Sequence, residues 1–74
     1  MKQMFWYVLI ERYNSGTVKA AVLKNKLATS RPPEFYKMEP GRELLGEWVN
    51  SAAEANAIVT EARALNASLA GRVA

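Results

Sequence analysis

The sequence predicts an α+β fold: a small antiparallel sheet of three to four strands that begins with an N-terminal β-hairpin, and one C-terminal α-helix packed on one face. Three observations predict it. Two segments rich in aromatic and β-branched residues flank a turn tripeptide, and a later segment carries helical periodicity behind capping residues. With 74 residues, the chain is expected to form a single small domain, 1–74, whose one core barely offsets the loss of chain entropy.

The hairpin is predicted to consist of strands 3–13 and 17–26, joined by Asn14-Ser15-Gly16. Gly16 supplies the positive φ that a three-residue loop requires. Counting back from Tyr13 opposite Thr17 pairs Glu11 with Lys19, Ile10 with Ala20, Val8 with Val22, and Trp6 with Lys24.

Because side chains alternate along a strand, this register gives the hairpin two faces, and both are largely apolar. The first face contains Met4, Trp6, Val8, Ile10, Val18, Ala20 and Val22, and ends in Lys24 and Lys26. The second face contains Phe5, Tyr7, Leu9, Ala21 and Leu23, with Glu11, Lys19, Tyr13 and Thr17 towards the turn. The first face is the more continuous, and its small Ala20 suits a closely packed helix.

The helix is predicted from Ser51 onwards, because Ser51 and Glu54 have the spacing of a capping box. Gly71 is the expected end of the helix. One narrow, alanine-rich stripe follows the cap: Ala55, Ile58, Val59, Ala62, Leu65 and Leu69. Such a stripe can cover only one face of the sheet.

The segment between hairpin and helix is less clearly defined by its sequence. Pro32 and Pro33 make residues 27–33 a loop, residues 34–39 resemble a strand, and Pro40-Gly41 suits a type II turn. Residues 42–50 fit either a fourth strand or a short helix. Their apolar residues are compatible with a strand and would equally suit one face of a helix: Leu44, Leu45, Trp48 and Val49.

The composition argues against catalysis. The chain contains no His, Cys or Asp, which removes the usual general base, the thiolate nucleophile and the soft metal ligands. We therefore expect a non-enzyme with no catalytic residues, metal site or cofactor. Glu39, Glu43 and Glu47 are the one acidic group that an alternative enzyme hypothesis could use, and it would need a pocket around them.

The absence of Cys also favours a reducing compartment, because small secreted domains usually depend on disulfides. The apolar run of residues 4–10 is much shorter than the roughly 20 residues that span a bilayer. A cytoplasmic protein without a membrane partner is expected.

The second apolar face admits two interpretations. It could lie under the 42–50 segment as ordinary core, or it could form an exposed patch with a charged border, which is typical of an interface. The second interpretation is slightly favoured and includes a homodimer as a common solution. The predicted partner-binding residues are Phe5, Tyr7, Leu9, Leu23, Lys19, Lys24, Lys26 and Arg31.

The basic residues of segment 19–31 suggest an alternative, nucleic-acid binding, in which lysines neutralise phosphates and aromatic rings stack on bases. A structural interpretation is also open, since lysines protect an exposed strand from pairing with another sheet.

Together these features predict a small non-catalytic protein that binds another protein and acts by steric occlusion. Its size and its lack of a catalytic group would suit an accessory or inhibitor protein of the kind that phages and mobile elements encode, working in the host-cell cytoplasm.

Overall fold

The computed structural model describes the backbone of residues 1–73 and the side chains of residues 1–66, and it confirms the predicted α+β fold. The elements are β1 (Gln3–Tyr13), β2 (Val18–Ala28), β3 (Phe35–Glu39), β4 (Arg42–Val49) and α1 (Ala52–Val73). All neighbouring strands are antiparallel, and their order in the sheet is β2-β1-β4-β3. Of the two structures open for residues 42–50, the strand is therefore correct, and β4 lies beside β1 at the centre of the sheet.

Two glycine turns meet at one end of the sheet. Gly16 has a φ of 92° and its N–H donates to the Tyr13 carbonyl at 2.9 Å, while Tyr13 N donates to Thr17 O, also at 2.9 Å. Gly41 has a φ of 86°, as the Pro40-Gly41 turn requires. The Asn14 N–H donates to the Gly41 carbonyl at 3.1 Å, which ties the β1–β2 turn to the β3–β4 turn.

The hairpin register is confirmed only near the turn. Val8 lies opposite Val22 as predicted, but Tyr7, and not Trp6, lies opposite Lys24. A β-bulge causes the difference: Leu23 is one extra residue in β2, and it shifts every later residue of that strand by one position. The predicted pairing of Trp6 with Lys24 is therefore wrong.

The bulge also changes which face carries the lysines. We call one side of the sheet the lysine face; it carries Phe5, Tyr7, Leu9, Glu11, Tyr13, Lys19, Ala21, Leu23, Lys24, Lys26, Phe35, Lys37, Glu39, Arg42, Leu44, Gly46 and Trp48. The other side is the helix face; it carries Met4, Trp6, Val8, Ile10, Arg12, Val18, Ala20, Val22, Tyr36, Met38, Glu43, Leu45, Glu47 and Val49. Lys24 and Lys26, predicted on the side of Trp6, thus lie on the opposite side.

The helix packs on the face that the sequence favours. Ser51 Oγ accepts a hydrogen bond from the Glu54 N–H at 3.0 Å, which caps the first turn. Ala55 and Ala62 of α1 are buried, and Val8 on the helix face is fully buried. The helix continues through Gly71 to Val73, so the expected end at Gly71 is wrong, and the predicted contact of Leu69 lies outside the described side chains.

The helix lies mainly over β2, with less contact to β1 and β4. Small residues lie on both sides of this contact, since Ala20 of β2 and Ala62 of α1 line the same cavity. The Cα atoms extend over 51 × 27 × 12 Å, the dimensions of one sheet with one helix layer. Within residues 1–73, no helix combines the length and the apolar character needed to cross a lipid bilayer.

One side chain fixes the helix to the outer edge of the sheet. The Val18 N–H donates to Asn66 Oδ1 at 2.9 Å, and Asn66 Nδ2 donates to the Val18 carbonyl. An amide that both accepts from and donates to one residue occupies the edge as a neighbouring strand would. The end of β2 nearest the turn is therefore closed to further pairing.

Candidate functional site

An aromatic pair forms the centre of the lysine face. Tyr7 and Trp48 lie directly opposite each other on β1 and β4, with ring centroids 4.9 Å apart and planes inclined by 46°. Gly46 lies two residues before Trp48 on the same face, and a Cβ atom there would overlap the Tyr7 ring. Glycine at this position lets the tyrosine ring lie across the sheet and shield the backbone.

The bulge brings a lysine over this pair. Lys24 Nζ lies 5.4 Å from the centroid of the Tyr7 ring and 5.8 Å from that of Trp48. A second contact of the same kind lies nearer the turn, where Lys19 Nζ is 5.5 Å from the Tyr13 ring. Both ammonium groups are thus positioned by cation–π attraction, which fixes positive charge above the aromatic centre.

The acidic groups of the lysine face are already engaged. The Arg42 guanidinium lies 2.8 Å from Glu39 and 3.8 Å from Glu11. Glu39 also pairs with Lys37 at 3.7 Å, and Glu11 accepts from the Tyr13 hydroxyl. Hydrogen bonds to Tyr13 and Glu39 raise the pKa of Arg42 further. The two carboxylates therefore neutralise Arg42 and Lys37 and leave the lysines of β2 unbalanced.

Three lysines of β2 carry this positive charge. Lys19, Lys24 and Lys26 are exposed, and none forms an ion pair with the described part of the chain. They lie on one strand at the sheet edge. Their charge is accordingly available to an external anion or carboxylate.

No protein-family model, curated protein or solved structure matches this chain significantly. What the lysine face can bind is accordingly inferred from its own side chains.

The structure brings seven of the eight predicted binding residues onto the lysine face. These are Phe5, Tyr7, Leu9, Leu23, Lys19, Lys24 and Lys26. Tyr7 and Leu9 are half-buried, while Leu23 is 56% exposed. Phe5 shares the face but is only 3% exposed, so the expectation that it forms part of an exposed patch is wrong. Arg31 is exposed in the loop between β2 and β3.

Phe5 lies on β1, an interior strand of the sheet, directly opposite Lys26 of β2, and its ring is only 3% exposed. Phe5 therefore belongs to the core of this face and not to its surface.

Two residues of the lysine face were missed from the sequence. Phe35 on β3 is 44% exposed, and Lys37 two positions later shares its face. Alternation within 34–39 indicates that they share one side, but it does not say which side of the hairpin this is. Only the pairing of β3 with β4 supplies that information.

The three carboxylates considered for catalysis do not come together. Glu39 lies on the lysine face, whereas Glu43 and Glu47 lie on the helix face. Glu43 is held by Arg12 at 3.7 Å and accepts from the Tyr36 hydroxyl at 3.0 Å. That hydrogen bond raises the pKa of Tyr36, with smaller contributions from desolvation and from the charge of Glu43. Glu39 and Glu43 are thus each held by neighbouring side chains: Glu39 by Arg42, and Glu43 by Arg12 and Tyr36.

Proposed function

We propose that this chain is a non-catalytic binding protein that docks through its lysine face on an acidic site of a larger protein and blocks that site by steric occlusion. The observation that carries the proposal is the placement of Lys19, Lys24 and Lys26 around apolar Leu9 and Leu23 on the lysine face. At the β2 edge, Leu9, Lys19 and Leu23 line a cavity of about 410 Å³ together with side chains of α1. Apolar side chains with a charged border are the composition of a protein interface.

The charges favour a negatively charged partner. Because the acids of this face are engaged by Arg42 and Lys37, an approaching carboxylate meets three lysines without an internal competitor in the described residues. Complementary charge of this kind raises the rate of association and excludes partners of the same sign. Burial of Leu9 and Leu23 would then supply the short-range stabilisation.

Single-stranded nucleic acid is the second candidate, since lysines beside aromatic rings on an open sheet can bind phosphates and bases. The rings argue against it as the first candidate. Trp48 is only 8% exposed, and Lys24 lies over both Tyr7 and Trp48 where a base would have to stack. Phe35 is the ring of this face that offers substantial free surface in the described structure.

The proposal is tested by capture from a cell lysate with two matched variants, followed by identification of the cross-linked proteins. Lys24→Glu with Lys26→Glu reverses two charges on the lysine face. Lys2→Glu with Ala53→Glu and Thr60→Glu makes the same change in net charge at exposed positions away from the lysine face. We expect the wild type and the Lys2/Ala53/Thr60 variant to capture the same acidic protein and the Lys24/Lys26 variant to lose it. Equal capture by both variants would contradict the use of the lysine face.

The nucleic-acid alternative is tested with the same variants and a fluorescently labelled oligothymidylate. A phosphate-dominated complex weakens steeply with salt, roughly linearly on a logarithmic plot, whereas an apolar protein interface responds weakly. Tight binding of the oligonucleotide with a steep salt slope, without capture of any protein, would favour the second candidate.

A further inference from the structure

The helix leaves part of its own side of the sheet uncovered. Because α1 lies mainly over β2, a groove of about 320 Å³ remains between the helix and β4. Its apolar lining includes Ile10 and Leu45 from the sheet and Ile58 and Leu65 from the helix. We call this space the helix-side groove.

Exposed apolar residues continue on both sides of the groove. Leu65 on the helix side is 54% exposed, and Tyr36 and Met38 on β3 are 58% and 65% exposed. The helix face therefore presents an apolar depression between two apolar ridges. This shape provides both the projecting and the receiving parts of an interface.

The charges at the groove are of both signs. Arg12, Glu43 and Glu61 line it together with the apolar residues. Arg12 pairs with Glu43 of its own chain at 3.7 Å, but its side chain stays 69% exposed. Under a two-fold axis it can therefore also face Glu61 of the other copy, and the same contact recurs by symmetry. The charges of the groove thus permit contact with a second copy of the same groove.

The other surfaces of the molecule are poorly suited to self-association. A two-fold contact between lysine faces would bring Lys19, Lys24 and Lys26 against a second set of lysines. Pairing of two β3 edges centred on that five-residue strand would place Lys37 opposite Lys37, and like charges directly opposite each other are destabilising.

The outer edge of β2 is unsuitable as well. Asn66 occupies the backbone groups of Val18, and the bulge at Leu23 interrupts the regular ladder further along. Bulges and edge lysines are the features by which sheets prevent pairing with other sheets.

The overall dimensions of the chain leave room for a dimer interface. A stable interface buries about 800 Å² per partner, roughly 15% of the 5292 Å² accessible surface of this chain. The broad side of the molecule, 51 × 27 Å between Cα extremes, offers more than that area. A chain this small also gains disproportionately from a partner that enlarges its core.

We infer that a second copy of this chain binds at the helix-side groove in a two-fold dimer, in which Leu65 and Met38 of each copy are buried against the groove of the other. This interface lies on the opposite side of the sheet from the lysine face. Dimerisation therefore leaves both lysine faces accessible.

The inference is tested by sedimentation equilibrium over a dilution series, with variants matched for exposure. Leu65→Glu places a charge at the groove, and Leu23→Glu makes the same change at a residue of nearly equal exposure, 56%, on the lysine face. We expect the wild type to have twice the 8.2 kDa chain mass and Leu65→Glu to weaken the dimer at least roughly tenfold, the loss of one interface hot spot. Leu23→Glu is expected to remain dimeric.

Met38→Glu is the second disrupting variant, and circular dichroism of each variant confirms folding. Reversal of the rim pair gives a positive test: Arg12→Glu should weaken the dimer, and Arg12→Glu with Glu61→Arg should restore it. A wild type that stays monomeric up to about millimolar concentration overturns the inference. So does a dimer that Leu23→Glu dissociates and Leu65→Glu does not. Capture through the lysine face is measured separately with the Lys24/Lys26 variant, so failure of one proposal does not imply failure of the other.

Discussion

The two sides of β1 are buried by different means. On the helix face, Val8 is fully buried, and Ala55 of α1 is only 1% exposed. On the lysine face, Trp48 is 8% exposed and lies against the Tyr7 ring, and Phe5 is 3% exposed. The apolar run of residues 4–10 is therefore explained by two half-cores of different construction.

The difference shows how a very small domain can use a strand that is apolar on both sides. One face is covered by a second layer, which needs small side chains so that helix and sheet can approach. The other face is covered by its own aromatic residues and by the aliphatic stems of lysines, whose charged ends remain in water. Covering a face with its own side chains requires no further secondary-structure element, and it leaves that surface accessible to a partner.

The largest expected effect tests whether the lysine face contributes a genuine half-core. Phe5→Ala should destabilise the protein by about 3–5 kcal/mol, the usual cost of removing a buried ring. Phe35→Ala on the same face, where the ring is 44% exposed, is the control and should cost much less. Urea unfolding of the two variants provides the measurement. An equal loss of unfolding free energy in both variants would mean that the lysine face has no buried core distinct from its surface. The contrast between the two sides of β1 would then be wrong.

The next effect concerns the helix face, where close approach requires small residues. Ala55→Leu should destabilise by about 1–3 kcal/mol, because the added carbons overpack a closely packed contact. Ala57→Leu is the control: it makes the same change in helix propensity, but at an exposed position of the helix that does not contact the sheet. Thermal unfolding of both variants should show a clear loss for the first and little change for the second. If both variants melt like the wild type, the helix contact is looser than described.

The prediction of the fold from the sequence succeeded where local chemistry decides the structure. Gly16, the Pro40-Gly41 turn and the Ser51 cap each satisfy requirements set within a few residues, and all three are confirmed. Strand 3–13 was likewise predicted with its correct bounds. Short-range signals of this kind depend little on what the rest of the chain does.

The prediction failed where distant parts of the chain decide. Nothing in residues 17–26 marks Leu23 as the extra residue of a bulge, because the strand keeps the same composition in either register. That single residue moved Lys24 and Lys26 to the other face. The order β2-β1-β4-β3 also depends on the pairing of β4 with β1, which residues 42–50 alone could not indicate since they fit a helix equally well.

A smaller effect would sharpen the description of the lysine face. Lys24→Ala should cost about 0.5–1 kcal/mol, the value of an exposed cation–π contact. Lys2→Ala is the control, because Lys2 is exposed and has neither a ring contact nor an ion pair in the described structure. The difference in urea midpoint between the two variants measures the contact. Indistinguishable midpoints would show that Lys24 lies over the rings without stabilising them.

The smallest effect is on titration and concerns the helix face. The Glu43 carboxylate raises the pKa of Tyr36, chiefly through their hydrogen bond. A raised pKa in the folded state means that the contact stabilises the protein below the ordinary tyrosine value and that this contribution is lost as pH rises through the raised value. Glu43→Ala should therefore lower the alkaline midpoint of Tyr36, followed by tyrosinate absorbance and assigned by subtracting the Tyr36→Phe titration. An unchanged midpoint would contradict the hydrogen bond in solution.

The contact between Asn66 and Val18 also has a consequence for the timing of folding. The two residues are 48 positions apart, so the amide that closes the edge of β2 reaches the ribosome exit long after the hairpin itself. The hairpin is complete at Ala28, 38 residues before Asn66, so at about 5–20 residues per second the interval is roughly 2–8 s. During that interval the edge of β2 lacks its Asn66 partner, and Lys19, Lys24 and Lys26 on the same strand are of the type that opposes pairing with another strand. The lysines would thus serve the chain before its helix exists, and only afterwards be available to a partner.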